Sequence, residues 1–195
     1  MLASYFQPRK QTMKHSKSPI AMPTQDYLNE ALIYDQSGGT LTWKTRPLHH
    51  FTNAHGMNTF NSQHSGKTVL SEANGRYFVI RIAGKVYLSH RVIWKLMTGV
   101  DPISKIDHRD TNKKNNAWKN LRQATQQQNG FNRGLSSTNK TGFKGVSWDK
   151  RDSKFYASIR AGGKSTSLGR FNTKEEAAEA YRSAALKAHG EFANI

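Results

Sequence analysis

Residues 106–129 read Ile106-Asp107-His108-Arg109-Asp110-Thr111-Asn112-Lys113-Lys114-Asn115-Asn116-Ala117-Trp118-Lys119-Asn120-Leu121-Arg122-Gln123-Ala124-Thr125-Gln126-Gln127-Gln128-Asn129. The fold turns on how this stretch divides. A strand ends in Asp107-His108, an asparagine-rich polar loop follows, and Asn120-Leu121-Arg122 opens a second strand. Thr125-Gln126-Gln127-Gln128 then matches a capping box, in which a Thr hydroxyl and a Gln side chain satisfy free amides, so Asn129 falls about one turn inside a helix. Neighbouring side chains on an extended strand point to opposite faces. Asp107 and His108 therefore serve one ligand only where the strand bends or stops, and a turn is expected to start at His108.

Upstream, Tyr27, Leu28, Ala31 and Leu32 recur at helical spacing after Thr24 and stop at Ser37-Gly38-Gly39. Thr40-Leu41-Thr42-Trp43-Lys44 alternates like a strand. A polar stretch from Thr45 to Gly66 carries His49, His50, His55 and His64. None of these histidines falls in a fixed metal-binding array, and they are read as having structural or nonspecific roles. Arg76 to Leu88 reads as a β-hairpin turning at Ala83-Gly84-Lys85. His90 to Met97 reads as a helix closed by Gly99, with Val92, Ile93, Leu96 and Met97 packing it on the hairpin and His90 as a packing residue in preference to a catalytic one.

The charge balance bounds the partners. The 195 residues hold 30 Lys and Arg against 13 Asp and Glu, a net charge of +17, which points to a polyanion and above all to nucleic acid. No apolar run approaches the ~20 residues a bilayer-spanning helix needs, so a membrane is not expected as a partner. Met1 to Pro23 mixes Arg9, Lys10, Lys14 and Lys17 with polar residues and prolines and lacks a secretory apolar core. It reads as a flexible basic arm of a cytoplasmic, non-secreted protein. With no cysteine in the chain, disulfides and thiolate zinc sites are excluded, and the available donors favour a hard divalent ion.

The quoted segment resembles the HNH homing endonuclease family of phages and introns. The likeness rests on the Asp-His strand end, the Asn-rich loop, the Asn-Leu-Arg strand and the helical Asn129, and it extends through Ser89-His90-Arg91 and the preceding hairpin to cover about residues 24–133. The resemblance implies metal-dependent hydrolysis of double-stranded DNA in a phage homing setting. Asp107 and Asn129 would hold one Mg²⁺ or Mn²⁺, His108 would be the general base, and Asn120 would orient the loop and His108 without touching the metal. The chemistry supports the same roles. Phosphodiester hydrolysis needs an activated water and charge stabilisation, a histidine titrates near neutrality, and a carboxylate is an oxygen ligand for such ions. The Asn115-Asn116 pair departs from the Asp-Asn often found there, which bears on loop stability more than on catalysis.

Gly134, Ser136, Ser137, Thr138 and Asn139 crowd together as a linker over 134–140. Beyond it, Gly142 to Trp148, Lys154 to Arg160 and Ser165 to Phe171 read as three strands. Thr173 caps a small-residue helix carrying Glu175 and Glu176 in its first turn and ending near Gly190. The Phe-Lys-Gly-Val opening, the Leu-Gly-Arg-Phe strand and the Glu-Glu-Ala-Ala-x-Ala-Tyr helix resemble the plant ethylene-response-factor DNA-binding domain, over residues 141–195. Alternation puts Val146, Trp148, Phe155, Ala157 and Ile159 toward the helix. Lys144, Ser147, Tyr156, Ser158 and Arg160 are left on an outer face able to enter the major groove, with Arg170 as a further DNA contact. Ser147 and Ser167 stand where plant members carry Arg or Trp, so plant target specificity does not transfer.

The expected fold is α+β. A ββα-metal module with a preceding hairpin and helix occupies 24–133, its core at about 104–133, and a small three-stranded antiparallel sheet packed on one helix occupies 141–195. Double-stranded DNA is the expected partner, no protein partner is evident, and the chain is a monomer or weak dimer. The alternative is a DNA-binding transcriptional regulator with an inactive nuclease fold. A module lacking 134–195 is expected to bind its target more weakly but keep slow metal-dependent nicking.

Overall fold

A computed structural model describes residues 21–195. The arm expected over 1–23 falls almost wholly outside this range. Helix α1 (Gln25–Ala31) starts where the Thr24 side chain accepts the Tyr27 amide, and it buries Leu28 and Ala31 completely. Burying a Leu side chain in this way contributes roughly 1.5–3 kcal/mol. Leu32, read from its spacing as helical, instead turns extended and opens β1 (Leu32–Asp35). Its side chain is still buried, because strand alternation serves the same core. Strand β1 pairs antiparallel with β2 (Thr40–Trp43).

The polar stretch that follows contains a helix that apolar periodicity did not disclose, α2 (Ala54–His64), capped by the Asn53 side chain on the Gly56 amide. It is held by aromatic contact, Phe60 lying edge-on to Trp43 with ring centres 5.0 Å apart. A short β3 (Glu72–Ala73), β4 (Tyr77–Ile82) and β5 (Lys85–Leu88) form an antiparallel sheet in that order, and α3 (Ser89–Thr98) follows at once. Val92 and Ile93 of α3 join Leu28, Leu41, Ile80 and Ile82 in one core, which Ile106 and Leu121 close from below.

Strands β6 (Lys105–His108) and β7 (Leu121–Ala124) pair antiparallel, with Asp107 opposite Arg122 and His108 opposite Leu121, and α4 (Gln126–Phe131) follows. Both halves of the Thr125–Gln128 capping box form. β6 stops at His108, whose carbonyl accepts the Thr111 amide at 2.9 Å in a turn.

The last unit is an antiparallel sheet in the order β10 (Lys164–Phe171), β9 (Lys154–Ala161), β8 (Val146–Asp149), packed on α5 (Lys174–His189). Val146, Ala157 and Ile159 meet Ala177, Tyr181 and Ala185, and the small residues let helix and sheet approach closely. Gly145 allows that approach. At φ 72°, any Cβ there would lie 2.0 Å from the Tyr181 ring. Trp148 departs from expectation. It sits on the edge strand, meets Phe155 edge-on with ring centres 4.8 Å apart and stays 48% exposed instead of lying under α5.

Candidate active site

A cleft of about 580 Å³ opens between α3, β6 and α4, and Tyr77, His90, Asp107, His108, Asn129 and Asn132 are among its walls. His108 is 4% exposed. Its Nε2 lies 3.0 Å from Oδ1 of Asn116, itself buried. An amide oxygen only accepts, so this contact places the ring proton on Nε2 and the lone pair on Nδ1. Burial lowers the His108 pKa below its ordinary value. Asn116, Asp110 and Asp107 pull the other way, and Lys113 adds to the lowering. The imidazole is therefore neutral near neutral pH, the form that accepts a proton.

Asp107 forms a buried ion pair with Arg122. Nε and Nη2 of Arg122 both approach Oδ2 at 2.9 Å. Nδ2 of Asn132 lies 3.0 Å from Oδ2 and 3.1 Å from Oδ1, and it donates to the His108 carbonyl at 2.7 Å. Oδ1, which accepts from Asn132 alone, thus keeps acceptor capacity, while Oδ2 is committed to Arg122 as well. Asn129 lines the same cleft, and among the described residues its side chain makes no hydrogen bond. The residue bonded to Asp107 is Asn132, three positions later. An acidic oxygen with spare lone pairs and a free amide oxygen on one cleft suit a hard divalent ion.

Asn120 acts on the loop. Its Oδ1 accepts the Asp110 amide at 3.0 Å, and its Nδ2 donates to Asp110 Oδ1 at 2.9 Å and the Asn115 carbonyl at 2.7 Å. Asn115, at the departure from the family pattern, donates to Asp110 Oδ2 at 2.6 Å. The β1–β2 hairpin supports the loop from behind: Tyr34 donates its hydroxyl to the Asn116 carbonyl at 2.8 Å, and the Trp118 amide donates to the Gln36 carbonyl at 2.9 Å. Gly39 fits there because a Cβ would lie 2.3 Å from the Ala117 nitrogen.

His90 faces His108 edge-on, with ring centres 5.2 Å apart, and burial, with His108 and Arg91 adding to it, pushes its pKa down to about 3. It therefore belongs to the cleft wall, not only to the packing expected from its helix position. Glu30, His49 and His50 form a second cluster, with His49 Nε2 2.7 Å and His50 Nε2 3.1 Å from the same Glu30 oxygen. Arg46 donates from Nε to His50 Nδ1, so the His50 nitrogen facing Glu30 carries the proton and is no metal ligand.

In the C-terminal sheet, Ser147 and Arg160 are exposed on the face away from α5, and Tyr156 and Ser158 are partly covered. Arg170 is not free: it pairs with Asp149 and Asp152 at 2.9 and 2.7 Å and lies over the Tyr156 ring. Lys144 requires a correction. It does not join that face but donates from Nζ to the carbonyls of Phe131 and Arg133, ending α4. It precedes β8 in an irregular segment, where strand alternation carries no information. Asn116, Arg122 and Asn132 were passed over by the sequence reading. Their signal was position alone, one in the Asn-Asn pair, one facing Asp107 across the ladder and one a helical turn past Asn129.

The HNH endonuclease family profile matches residues 87–131, which include strands β6 and β7 beside this cleft, and the AP2 domain profile matches residues 141–191. An uncharacterized HNH endonuclease of Acanthamoeba polyphaga mimivirus is 40% identical over 112 residues, 56% of this chain and 57% of that protein. Protein 3.8 of Escherichia phage T7 is 35% identical over 109 residues, 54% of this chain and 88% of that protein. The chain belongs to the HNH endonuclease family and carries an AP2 domain after the nuclease unit. It spans a little over half the length of the mimivirus relative. No solved structure matches it. Among the described residues no helix is long and apolar enough to cross a membrane.

Proposed function

We propose that this chain is a metal-dependent endonuclease of the homing type that hydrolyses phosphodiester bonds in double-stranded DNA, with the β6–β7–α4 unit as its ββα-metal module. The observation that carries the reading is the His108–Asn116 contact beside Asp107: a buried, neutral imidazole with Nδ1 free to accept a proton from water. Asp107 and Asn129 are the residues that would hold a single Mg²⁺ or Mn²⁺. Such an ion neutralises charge on the phosphate and the departing oxygen. Asn120 keeps the loop, and through it Asn116, in register with His108. The AP2 sheet supplies the grip, with Ser147, Tyr156, Ser158 and Arg160 toward the groove. A second cleft of about 580 Å³ runs beside Arg133 and Arg160, and Arg133 also lines the catalytic cleft. The two arginines mark a path for a phosphate backbone between the units.

The test is nicking of supercoiled plasmid by wild type and His108→Ala with Mg²⁺, Mn²⁺ or EDTA. Metal-dependent nicking that disappears in the variant while DNA affinity holds supports the reading. Cutting by neither protein, on DNA that includes the source genome, moves the assignment to a DNA-binding regulator.

A further inference from the structure

The ion pair that holds Asp107 is itself held by the other unit. Arg122 donates from Nη1 to the Glu191 carbonyl, its guanidinium carbon sits 3.9 Å from the centre of the Phe192 ring, and the Glu191 carboxylate lies 3.6 Å away. Glu191 also pairs with Arg109 at 2.7 Å. Asn194 donates to the Asn132 carbonyl at 2.9 Å. Nearby, His189 stacks on Phe131 with ring centres 3.7 Å apart. Among the described residues, Arg122 and Asn132 are the two side chains bonded to the Asp107 carboxylate, and the turn after α5 fastens both.

From this we infer that the segment Glu191–Asn194 of the AP2 unit positions the metal-binding carboxylate of the nuclease unit, so that the C-terminal unit is part of the catalytic apparatus and not only a DNA grip. The inference rests on the metal-dependent reading above. Its physical logic is competition for Asp107. A guanidinium free to swing would cover both carboxylate oxygens bidentately, the geometry Arg and carboxylate favour. With its plane packed on Phe192 and Nη1 spent on the Glu191 carbonyl, Arg122 reaches Oδ2 alone, and Oδ1, shared only with Asn132, keeps a lone pair to spare. Asn194 similarly fixes the end of α4 from which Asn132 reaches back. The Phe192 ring does more than fill space, since its face attracts the cation while its bulk is shielded from solvent. Phe192, Glu191 and Asn194 are thus positioning residues acting through Arg122 and Asn132, and removal of 134–195 would disable cutting where the sequence alone led us to expect slow nicking to survive.

The experiment uses the full chain with Phe192→Leu, Phe192→Tyr and Asn194→Ala. Mn²⁺ uptake by the DNA-free protein is read by electron paramagnetic resonance, alongside nicking rates, DNA affinity and melting temperature. Phe192→Leu keeps apolar bulk but loses the aromatic face; it should weaken Mn²⁺ affinity and lower the nicking rate by about tenfold with DNA affinity unchanged. Phe192→Tyr should restore both. Asn194→Ala, which removes a single bond at a partly buried position, should show a smaller change in the same direction and serves if Phe192→Leu does not fold. Wild-type Mn²⁺ affinity and rate in Phe192→Leu, or equal defects in the Leu and Tyr variants, would overturn the inference. Failure of the wild type itself to take up Mn²⁺ would instead remove the metal-dependent reading and this inference with it.

Discussion

His108 and Asn116 meet through Nε2 and Oδ1 at 3.0 Å, eight residues apart across a loop closed by Asp110, Asn115 and Asn120. The contact sets which nitrogen is basic. Replacing Asn116 with Leu should release the tautomer and reduce nicking about 10–100-fold. Asn116→Asp should raise the His108 pKa, because a carboxylate stabilises the imidazolium. Since burial holds the wild-type value below the ordinary one, the acidic limb of the wild-type rate profile should lie below about pH 6.5. The Asp variant should move it upward, as a pH series of single-turnover rates would reveal.

The same burial makes the fold acid-sensitive at His90. Its folded pKa of about 3 lies far below the ordinary 6.5, so between those limits the unfolded chain binds a proton that the folded chain refuses. Stability contributed by the neutral ring is complete above about pH 6.5 and falls by about 1.4 kcal/mol per unit as pH drops toward 3. Urea unfolding at pH 7 and pH 5 should show a shallower pH dependence for His90→Phe than for wild type. Equal slopes would remove His90 as the source.

Gly39 tests the hairpin that backs the loop. At φ 73° it occupies the left-handed region, and a Cβ would sit 2.3 Å from the Ala117 nitrogen and 2.4 Å from the Asn116 carbonyl carbon. Gly39→Ala should cost more than about 1 kcal/mol, since neither the backbone angle nor the space suits it. Because the displaced atoms belong to Asn116 and its neighbour, nicking should fall further than DNA binding. A melting curve and a rate measured on one preparation check both.

Lys144 and Arg160 separate two roles that their charge alone does not. Lys144 satisfies two carbonyls, one at the last residue of α4 and one just beyond it, and burial lowers its pKa. Lys144→Met should therefore destabilise the protein with little change in DNA affinity or its salt dependence. Arg160 is exposed on the sheet. Arg160→Ala should leave the melting temperature in place, weaken binding and, if it meets a phosphate, reduce the slope of log affinity against log salt by about one.

The elements legible in the sequence were those whose side chains obey one local rule. The Thr125–Gln128 capping box, the hairpin into α3 and the Ala-rich face of α5 all announce themselves within a few residues. Helix α2 did not, because its Phe60 seals against Trp43, a partner in another element, and most of its remaining positions are polar. At the site, His108, Asp107 and Asn129 line one cleft, whereas Arg122 and Asn132 were silent because their partners lie across a ladder or past a helix end. Lys144 was misplaced for a related reason: outside a strand, parity does not tell where a long side chain goes.

The contacts of Glu191 and Asn194 also impose an order of events. Arg122 and Glu191 are 69 residues apart, Asn132 and Asn194 are 62. Translation delivers β6, β7 and α4 to solution before α5 and the turn after it exist, and chains fold from the N-terminal side as they emerge. Joining ends so far apart must also await a slow loop closure. During its own synthesis the polypeptide therefore presents its cleft unclamped, and the last adjustment of Asp107 coincides with maturation of the AP2 unit.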